Sequence, residues 1–155
     1  MHYWLFKSEP TTFSIDDLSR RPRQTEHWDG VRNYQVRNML RDEIKKGDLA
    51  FFYHSSCTPP GIAGVVEIVK EAYPDPSALD VHSKYYDPLS SLEKPRWYMV
   101  DVKLVEKFPR LIRLSELKQH AVLDAMLILR KGNRLSITPM IKPEWQAIMR
   151  IIKKQ

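Results

Sequence analysis

Cysteine and glycine are scarce in this chain of 155 residues, and long apolar runs are missing. A single cysteine excludes an internal disulfide framework and any zinc site built from several thiolates, and the five glycines match no nucleotide-binding loop. No uncharged apolar stretch approaches the roughly 18 residues of a membrane span. Lys7 and Glu9 interrupt the N-terminal apolar run before it could form a signal peptide. We therefore expect a cytoplasmic protein that has no membrane segment, metal ion or cofactor.

The length and the placement of charge narrow the class of protein further. A chain of 155 residues fits one domain, residues 1–155, and is long enough to bury its own core. The formal net charge is +6, but residues 1–80 carry 10 basic and 12 acidic side chains, whereas residues 81–155 carry 15 and 7. This asymmetry favours a surface that contacts phosphates, and ordinary Lys/Arg-rich solubility is the competing interpretation.

Local signals mark the starts of three helices. Ser14 and Asp17 have the spacing of a capping box, so a helix is expected directly after Ser14. Asn33 is the predicted N-cap of a second helix, and Pro143 is expected to begin the last one. Two shorter helices are predicted over residues 114–119 and 123–130.

The remaining pattern predicts short strands and one long loop. Residues 73–96 contain four prolines and are predicted to be a loop, which at this length is usually functional or disordered. Strands and helices alternate without a regular βαβ rhythm, so we expect an α+β fold with a partly closed, mixed barrel. The predicted strands are Tyr3–Lys7, Leu49–His54, Ile62–Val69, Trp97–Val105, Phe108–Ile112 and Arg134–Thr138.

One pair of residues suggests catalysis or metal binding, and the suggestion is weak. His54 and Cys57 are separated by two residues, but no second pair completes a tetrahedral metal site. No nucleophile motif or orienting carboxylate accompanies the thiol. We interpret His54 as a packed or hydrogen-bonding ring and Cys57 as an inert small residue, and we expect no enzymatic activity.

The segment at residues 27–34 has a different chemistry. Trp28 precedes an Asp-Gly turn, and the predicted helix after Asn33 begins a few residues later. An aromatic face therefore lies beside free backbone N–H groups and the cation of Arg32. A flat apolar surface with donors and cations is what an unstacked nucleotide needs. The alternative is that Trp28 only fills the core and Arg32 is a surface residue.

Six strings resemble those of the EVE-domain family, in the same order and over nearly the whole chain. They are YWLFKSEP at 3–10, WDGVRNYQ at 28–35, KGD at 46–48, FYHS at 52–55, PGIAG at 60–64 and PRWYMVDV at 95–102. The family includes many small bacterial stand-alone proteins. The resemblance implies a PUA-like mixed β pseudobarrel flanked by helices. It also implies kinship with YTH domains, which hold a methylated adenine in an aromatic cage.

The resemblance also implies which residues bind. Trp28 is the expected cage wall, and residues 84–86 lie where related domains supply a second wall. The predicted base-pocket residues are Ser8, Trp28, Gly30, Val31, Asn33, Tyr53, His54, Ser55 and Tyr86. The predicted phosphate contacts are Lys7, Arg32, Lys84, Arg130 and Arg134.

The sequence-based hypothesis is a non-enzymatic module that reads a modified base, modified cytosine or similar, in DNA or RNA. A base-processing enzyme or nuclease of PUA-like type is one alternative. A small-anion or metabolite pocket is another, because a cationic aromatic cleft also accepts phosphates. The sequence leaves the choice of base, the choice between DNA and RNA, and the oligomeric state open.

Overall fold

Six strands form one mixed sheet in the structure, a computed structural model that describes residues 1–154. The strand order is β2-β5-β4-β3-β1-β6, and β1 and β3 run parallel while the other neighbours are antiparallel. With its flanking helices, this sheet confirms the predicted α+β class. The strands are β1 (Tyr3–Ser8), β2 (Thr25–His27), β3 (Leu49–His54), β4 (Gly61–Pro74), β5 (Tyr98–Arg113) and β6 (Ile137–Met140).

The helices begin where the capping signals predict. Ser14 accepts the N–H of Asp17, and the Asp17 carboxylate accepts the N–H of Ser14 in return, which completes the capping box. Asn33 accepts the N–H of Val36 at the start of the second helix, which ends in a π turn over Met39–Glu43. The helices are α1 (Ile15–Ser19), α2 (Tyr34–Asn38), α3 (Leu114–Leu117) and α4 (Lys142–Lys153).

Two strand predictions were wrong in a way that backbone geometry explains. The separate strand predicted over Phe108–Ile112 is the end of β5, which is continuous through Pro109. The register against β4 shifts opposite this proline, so its missing N–H leaves no ladder partner unpaired. The polar segment before Trp28 contains β2, which pairs with β5 and carries no hydrophobic pattern that could reveal it.

The segment 123–130 is not an α-helix as predicted. It forms 3₁₀ turns over Ala121–Leu123 and Leu127–Leu129, separated by an extended backbone at Met126. That conformation turns Met126 inward, where it is buried with Leu123. Core packing thus overrides local helix propensity here. The last strand begins later than predicted, at Ile137 instead of Arg134.

The sheet separates two hydrophobic clusters, and the division explains why β3 shows no alternation. Phe52 belongs to a cluster that also contains Trp28 and Phe6, whereas Phe51 belongs to a cluster formed with Trp145 of α4. Both faces of β3 are therefore covered by apolar groups, as the unbroken run of apolar residues predicts. The Trp28 cluster lies on the face where β1 and β3 end side by side, with Ser8 paired to His54.

Every helix among residues 1–154 is too short or too polar to span a bilayer.

Candidate functional site

A cleft of about 460 Å³ opens beside the ends of β1 and β2. The chain leaves β2 at His27, and the N–H of Trp28 donates to the carbonyl of Val100 on β5 at 2.7 Å, which fixes the indole at the edge of the sheet. The cleft is lined by Lys7, Ser8, Glu9, Thr12, Phe13, Arg21, Glu26, His27, Trp28, Asp29, Gly30, Val31, Lys84, Tyr85 and Ser136.

Trp28 forms the inner wall of the cleft. Its indole lies 5.2 Å from the ring of Phe6, 5.5 Å from Phe52 and 6.4 Å from Phe13, each at a steep interplanar angle. Such edge-to-face contacts are favourable, and three of them lock the ring in place. Trp28 is 8% exposed, so it serves the core and the cleft at once.

Tyr85 forms a second aromatic wall of the cleft, and Gly30 makes its position possible. Gly30 has a φ of +79°, and a Cβ at this position would lie only 2.6 Å from the Tyr85 ring. Any side chain would therefore be strained in the backbone and would also displace Tyr85. The Asp-Gly turn predicted from the sequence thus has a second role, which is to let the ring from the 75–97 segment approach.

A buried ion pair holds the two walls together. The Asp75 side chain is fully buried and accepts hydrogen bonds from the N–H of Gly30 at 2.8 Å and from Arg32 at 3.2 Å. Arg32 also donates to the carbonyls of Tyr85 at 2.7 Å and of Val31 at 2.7 Å. The segment that follows β4 is thereby tied to the turn that follows Trp28.

Electrostatics and aromatic stacking reinforce this pair. Burial alone would raise the pKa of Asp75, but the hydrogen bonds from Ser77, Gly30 and Arg32 outweigh it and lower the pKa. The Arg32 guanidinium lies 5.5 Å from the ring centre of Tyr85 and 5.2 Å from that of Trp97. Contacts of a cation with two rings stabilise it further. The 75–97 segment is therefore an ordered part of the site.

Charges of both signs lie around the mouth of the cleft. Lys7 and Lys84 supply ammonium groups, and partial burial lowers the pKa of Lys7. The carboxylate of Glu26 is engaged, because it accepts Arg21 Nε at 2.7 Å. Burial and the nearby Asp75 carboxylate raise the pKa of Asp29. The mouth can therefore hold an anion on its lysine side and a hydrogen-bond donor on its acidic side.

The structure brings some of the predicted residues into the cleft and leaves others out. Those that line it are Lys7, Ser8, Trp28, Gly30, Val31 and Lys84. Tyr86 is exposed and outside the lining, and its neighbour Tyr85 occupies the wall instead. Arg130 and Arg134 are exposed and also lie outside the lining, although Ser136, two residues beyond Arg134, contributes to it. Their proposed contacts with phosphates stay predictions.

Four further predicted pocket residues lie elsewhere for identifiable reasons. Asn33 caps α2 through its side-chain carbonyl. The strand period of two turns Tyr53 to the face away from Trp28, where burial raises its pKa to about 12. Ser55 donates its backbone N–H to Ser8 and does not line the cleft. His54 Nε2 accepts the N–H of Ile15 at 3.2 Å, so this ring supports the start of α1.

Arg32 is also placed differently from its prediction as a phosphate contact. Its donors are directed to Asp75, Ser77 and backbone carbonyls, and its side chain is 22% exposed. The sequence could not reveal this pairing, because Asp75 lies 43 residues further along the chain. No spacing rule connects the two positions.

Phe13 and Asp29 line the cleft without having been predicted to do so from the sequence. Phe13 packs perpendicular to Trp28. Tyr85 was expected, together with residues 84 and 86, where related domains supply a second wall, and no sequence signal distinguishes it from Tyr86. Asp29 was interpreted only as a turn residue, although its position directly after Trp28 places it on the same wall.

The residues that suggested catalysis or metal binding in the sequence have other partners in the structure. Among residues 1–154, no three His, Cys, Asp or Glu side chains come together in a way that could hold a metal ion. His54 uses its acceptor nitrogen on Ile15, and the Cys57 thiol donates to the carbonyl of Pro59 at 3.5 Å. Neither group lines the cleft.

We expect Arg32→Leu to lower the free energy of unfolding by about 3 kcal/mol, because it leaves the buried Asp75 carboxylate without its cation. Arg20→Leu is the matched control, since Arg20 is 73% exposed and pairs with Asp17 at 3.5 Å. That surface pair should contribute less than about 1 kcal/mol. Urea unfolding of both variants measures the difference. Equal losses for the two would show that the Arg32 pair does not hold the site together.

The free energy of unfolding should decrease as the pH is lowered, because His54 becomes protonated. Burial lowers the pKa of this imidazole below 6.5, with Asp16 opposing the shift, and its neutral Nε2 accepts the Ile15 N–H. The unfolded chain therefore takes up a proton first as the pH falls below about 6.5, and the free energy of unfolding decreases from there down to the folded-state pKa. Urea unfolding at pH 7.5 and 5.5 measures this loss. His54→Gln, which cannot titrate, should reduce it, and an unchanged loss would contradict the assignment.

Comparison with known proteins identifies the family. The EVE domain family profile matches residues 2–151. Human thymocyte nuclear protein 1 is 44% identical over 169 aligned residues, which cover 99% of this chain and 75% of that protein. An uncharacterised protein of Schizosaccharomyces pombe is 41% identical, with 98% of this chain and 69% of that protein covered.

Solved structures agree with the fold. The crystal structure of a Pseudomonas syringae protein superposes with a TM-score of 0.91 at 49% identity, covering 97% of this chain and 99% of that one. Human THYN1 protein in complex with 5-methylcytosine-containing DNA superposes with a TM-score of 0.93 at 44% identity, covering 100% and 99%. The PUA-like α+β architecture expected from the resemblance is thereby confirmed. This chain belongs to the EVE domain family.

Proposed function

We propose that this chain is a non-enzymatic nucleic-acid-binding module that takes a modified base, of the 5-methylcytosine type, into the cleft between Trp28 and Tyr85. The observation that carries the proposal is the pairing of two aromatic walls with a lysine-bearing mouth in one cleft. Residues 1–155 act as one domain in this proposal, and the cytoplasm is its proposed location.

The size and the walls of the cleft suit a nucleobase. Its volume of about 460 Å³ lies within the roughly 300–1,000 Å³ typical of small-ligand pockets. Trp28 and Tyr85 both line the cleft with aromatic rings, and Val31 adds an apolar contact that suits a methyl group. A base flipped out of its stack gains stacking energy between such walls.

A related structure supports the choice of ligand. Human THYN1 protein, 44% identical to this chain, has been crystallised in complex with 5-methylcytosine-containing DNA. The proposal extends that type of ligand to this chain, with DNA or RNA as the carrier. In this proposal Lys7 and Lys84, which line the cleft, contact the flanking phosphates, and Arg130 and Arg134 extend the contact along the backbone.

The proposal is for binding without catalysis. The best nucleophile and base from the sequence, Cys57 and His54, lie outside the cleft, and each is engaged in a local hydrogen bond. The carboxylates Glu9, Glu26 and Asp29 at the mouth are accompanied by neither a nucleophile nor a metal cluster. Mass spectrometry of modified oligonucleotides after incubation tests this point, and cleavage, base release or loss of the modification would contradict it.

The aromatic wall is best tested at Tyr85. Trp28→Ala would remove a buried ring from the core and cost about 3–5 kcal/mol of stability, so its effect on binding would be ambiguous. Tyr85→Ala keeps the carbonyl that Arg32 contacts and removes only the ring. We expect its affinity for an oligonucleotide with one 5-methylcytosine to fall roughly 10- to 100-fold, because stacking contributes about 1–3 kcal/mol per base. Fluorescence anisotropy measures the dissociation constant.

The neighbouring tyrosine provides the control for this experiment. Tyr86 is 42% exposed and does not line the cleft, so Tyr86→Ala should bind within about twofold of the wild type. Thermal unfolding of both variants verifies that they are folded. If the two substitutions weaken binding equally, or if Tyr86→Ala alone does, the cleft assignment is wrong.

Salt dependence distinguishes a polyanion from a small uncharged ligand. Each phosphate that a lysine neutralises adds about 0.7–0.9 to the slope of log affinity against log salt concentration. Lys84→Gln should reduce that slope by one such step, because Lys84 lies at the mouth of the cleft. Lys118→Gln should leave it unchanged, since this exposed lysine lies outside the lining. An affinity independent of salt in the wild type would argue against nucleic acid.

A further inference from the structure

Asp29 is the cleft carboxylate that directly follows Trp28 in the chain. It lines the cleft together with Trp28, and its carboxylate accepts a hydrogen bond from its own backbone N–H. The nearest cationic atom is Nε2 of His27, at 4.0 Å. Glu26, by contrast, accepts Arg21 Nε and lies 3.0 Å from Nδ1 of His27.

The backbone on both sides of Asp29 is fixed by hydrogen bonds. Trp28 donates its N–H to Val100, and Gly30 donates its N–H to the buried Asp75. The Asp29 side chain is 41% exposed and lines the cleft. An acceptor on a fixed segment of backbone therefore lies in the same cleft as the aromatic rings, where a ligand can reach it.

Electrostatics favour a ligand that brings a donor to this position. Burial and the neighbouring Asp75 carboxylate raise the pKa of Asp29, which means that the bare anion is less stable here than in water. A hydrogen bond donated to it relieves this cost. A ligand with a lone pair at the same place would bring one acceptor against another, and no hydrogen bond could form.

We propose that Asp29 is the specificity-determining residue of the cleft and accepts a hydrogen bond from the exocyclic amino group of a cytosine-type base. The inference rests on the proposed function, and it names the feature of the base that is read. Carboxylates recognise cytosine through its 4-amino donor, whereas thymine presents a carbonyl acceptor at that position. The methyl group that both 5-methylcytosine and thymine carry does not distinguish them. The aromatic walls accept either base, and Asp29 favours cytosine because of its amino group.

Two single-stranded oligonucleotides, identical except for a central 5-methylcytosine or thymine, provide the test. Anisotropy titrations with the wild type should show at least about tenfold tighter binding of the 5-methylcytosine strand. Asp29→Asn should reduce this ratio to near one, mainly by improving binding of the thymine strand, because the amide can donate to the thymine carbonyl. Glu9→Gln is the matched control, since it removes one negative charge from the same mouth. It should keep the wild-type ratio.

The outcomes separate specificity from simple charge effects. If Asp29→Asn and Glu9→Gln strengthen binding of both strands equally, Asp29 acts only as a repulsive charge and the inference is overturned. An unchanged ratio in Asp29→Asn overturns it as well. Either result leaves the proposed nucleic-acid function intact.

Free nucleosides make the two proposals independently testable. Titration of 5-methyl-2′-deoxycytidine and of thymidine, followed by NMR, probes the cleft without a phosphate backbone. A preference for the cytidine that Asp29→Asn abolishes would support the inference even if the wild type binds neither oligonucleotide, in which case the nucleic-acid function fails alone. Absence of binding to both strands and to both nucleosides would overturn the two proposals together.

Discussion

The ion pair between Arg32 and Asp75 is the constraint on which the site depends. Asp75 is fully buried at the end of β4, and it is stable there only because Arg32, Ser77 and the N–H of Gly30 all donate to it. Removing a charge from water is costly, and this set of donors offsets the cost. The pair also fixes the 75–97 segment against the turn after Trp28. Without it, the segment that carries Tyr85 would lose its main attachment to this turn.

The cleft is continuous with the hydrophobic core, and this determines its rigidity. Trp28 packs against Phe6 of β1 and Phe52 of β3 on one side and lines the cleft on the other. A binding surface built on central strands has little freedom to rearrange, so it is preorganised for a flat ligand. The same arrangement links stability and recognition. Substitution of Trp28 would disturb both, whereas substitution of Tyr85 would mainly affect the site.

The charged, aromatic and polar groups of the cleft have different roles. In the proposed function, lysines at the mouth attract phosphates without regard to sequence, and the aromatic walls accept any base. Selectivity must therefore come from a directional polar group inside. The groups predicted for this task, at Asn33 and residues 53–55, are committed to a helix cap, to the opposite core or to local hydrogen bonds. Asp29 lines the cleft with its side chain 41% exposed, which is why it carries the specificity in our proposal.

The sequence by itself determined the α+β class, the capping box at Ser14, the cap at Asn33 and the two-sided burial of β3, because each depends on neighbouring residues or on strand and helix periods. Its motifs also identified the family. Only the tertiary structure decided that Arg32 pairs with Asp75, that Tyr85 and not Tyr86 forms a wall, and that Tyr53 faces away from the cleft. Those outcomes depend on contacts between distant residues and on strand register, which no local pattern encodes.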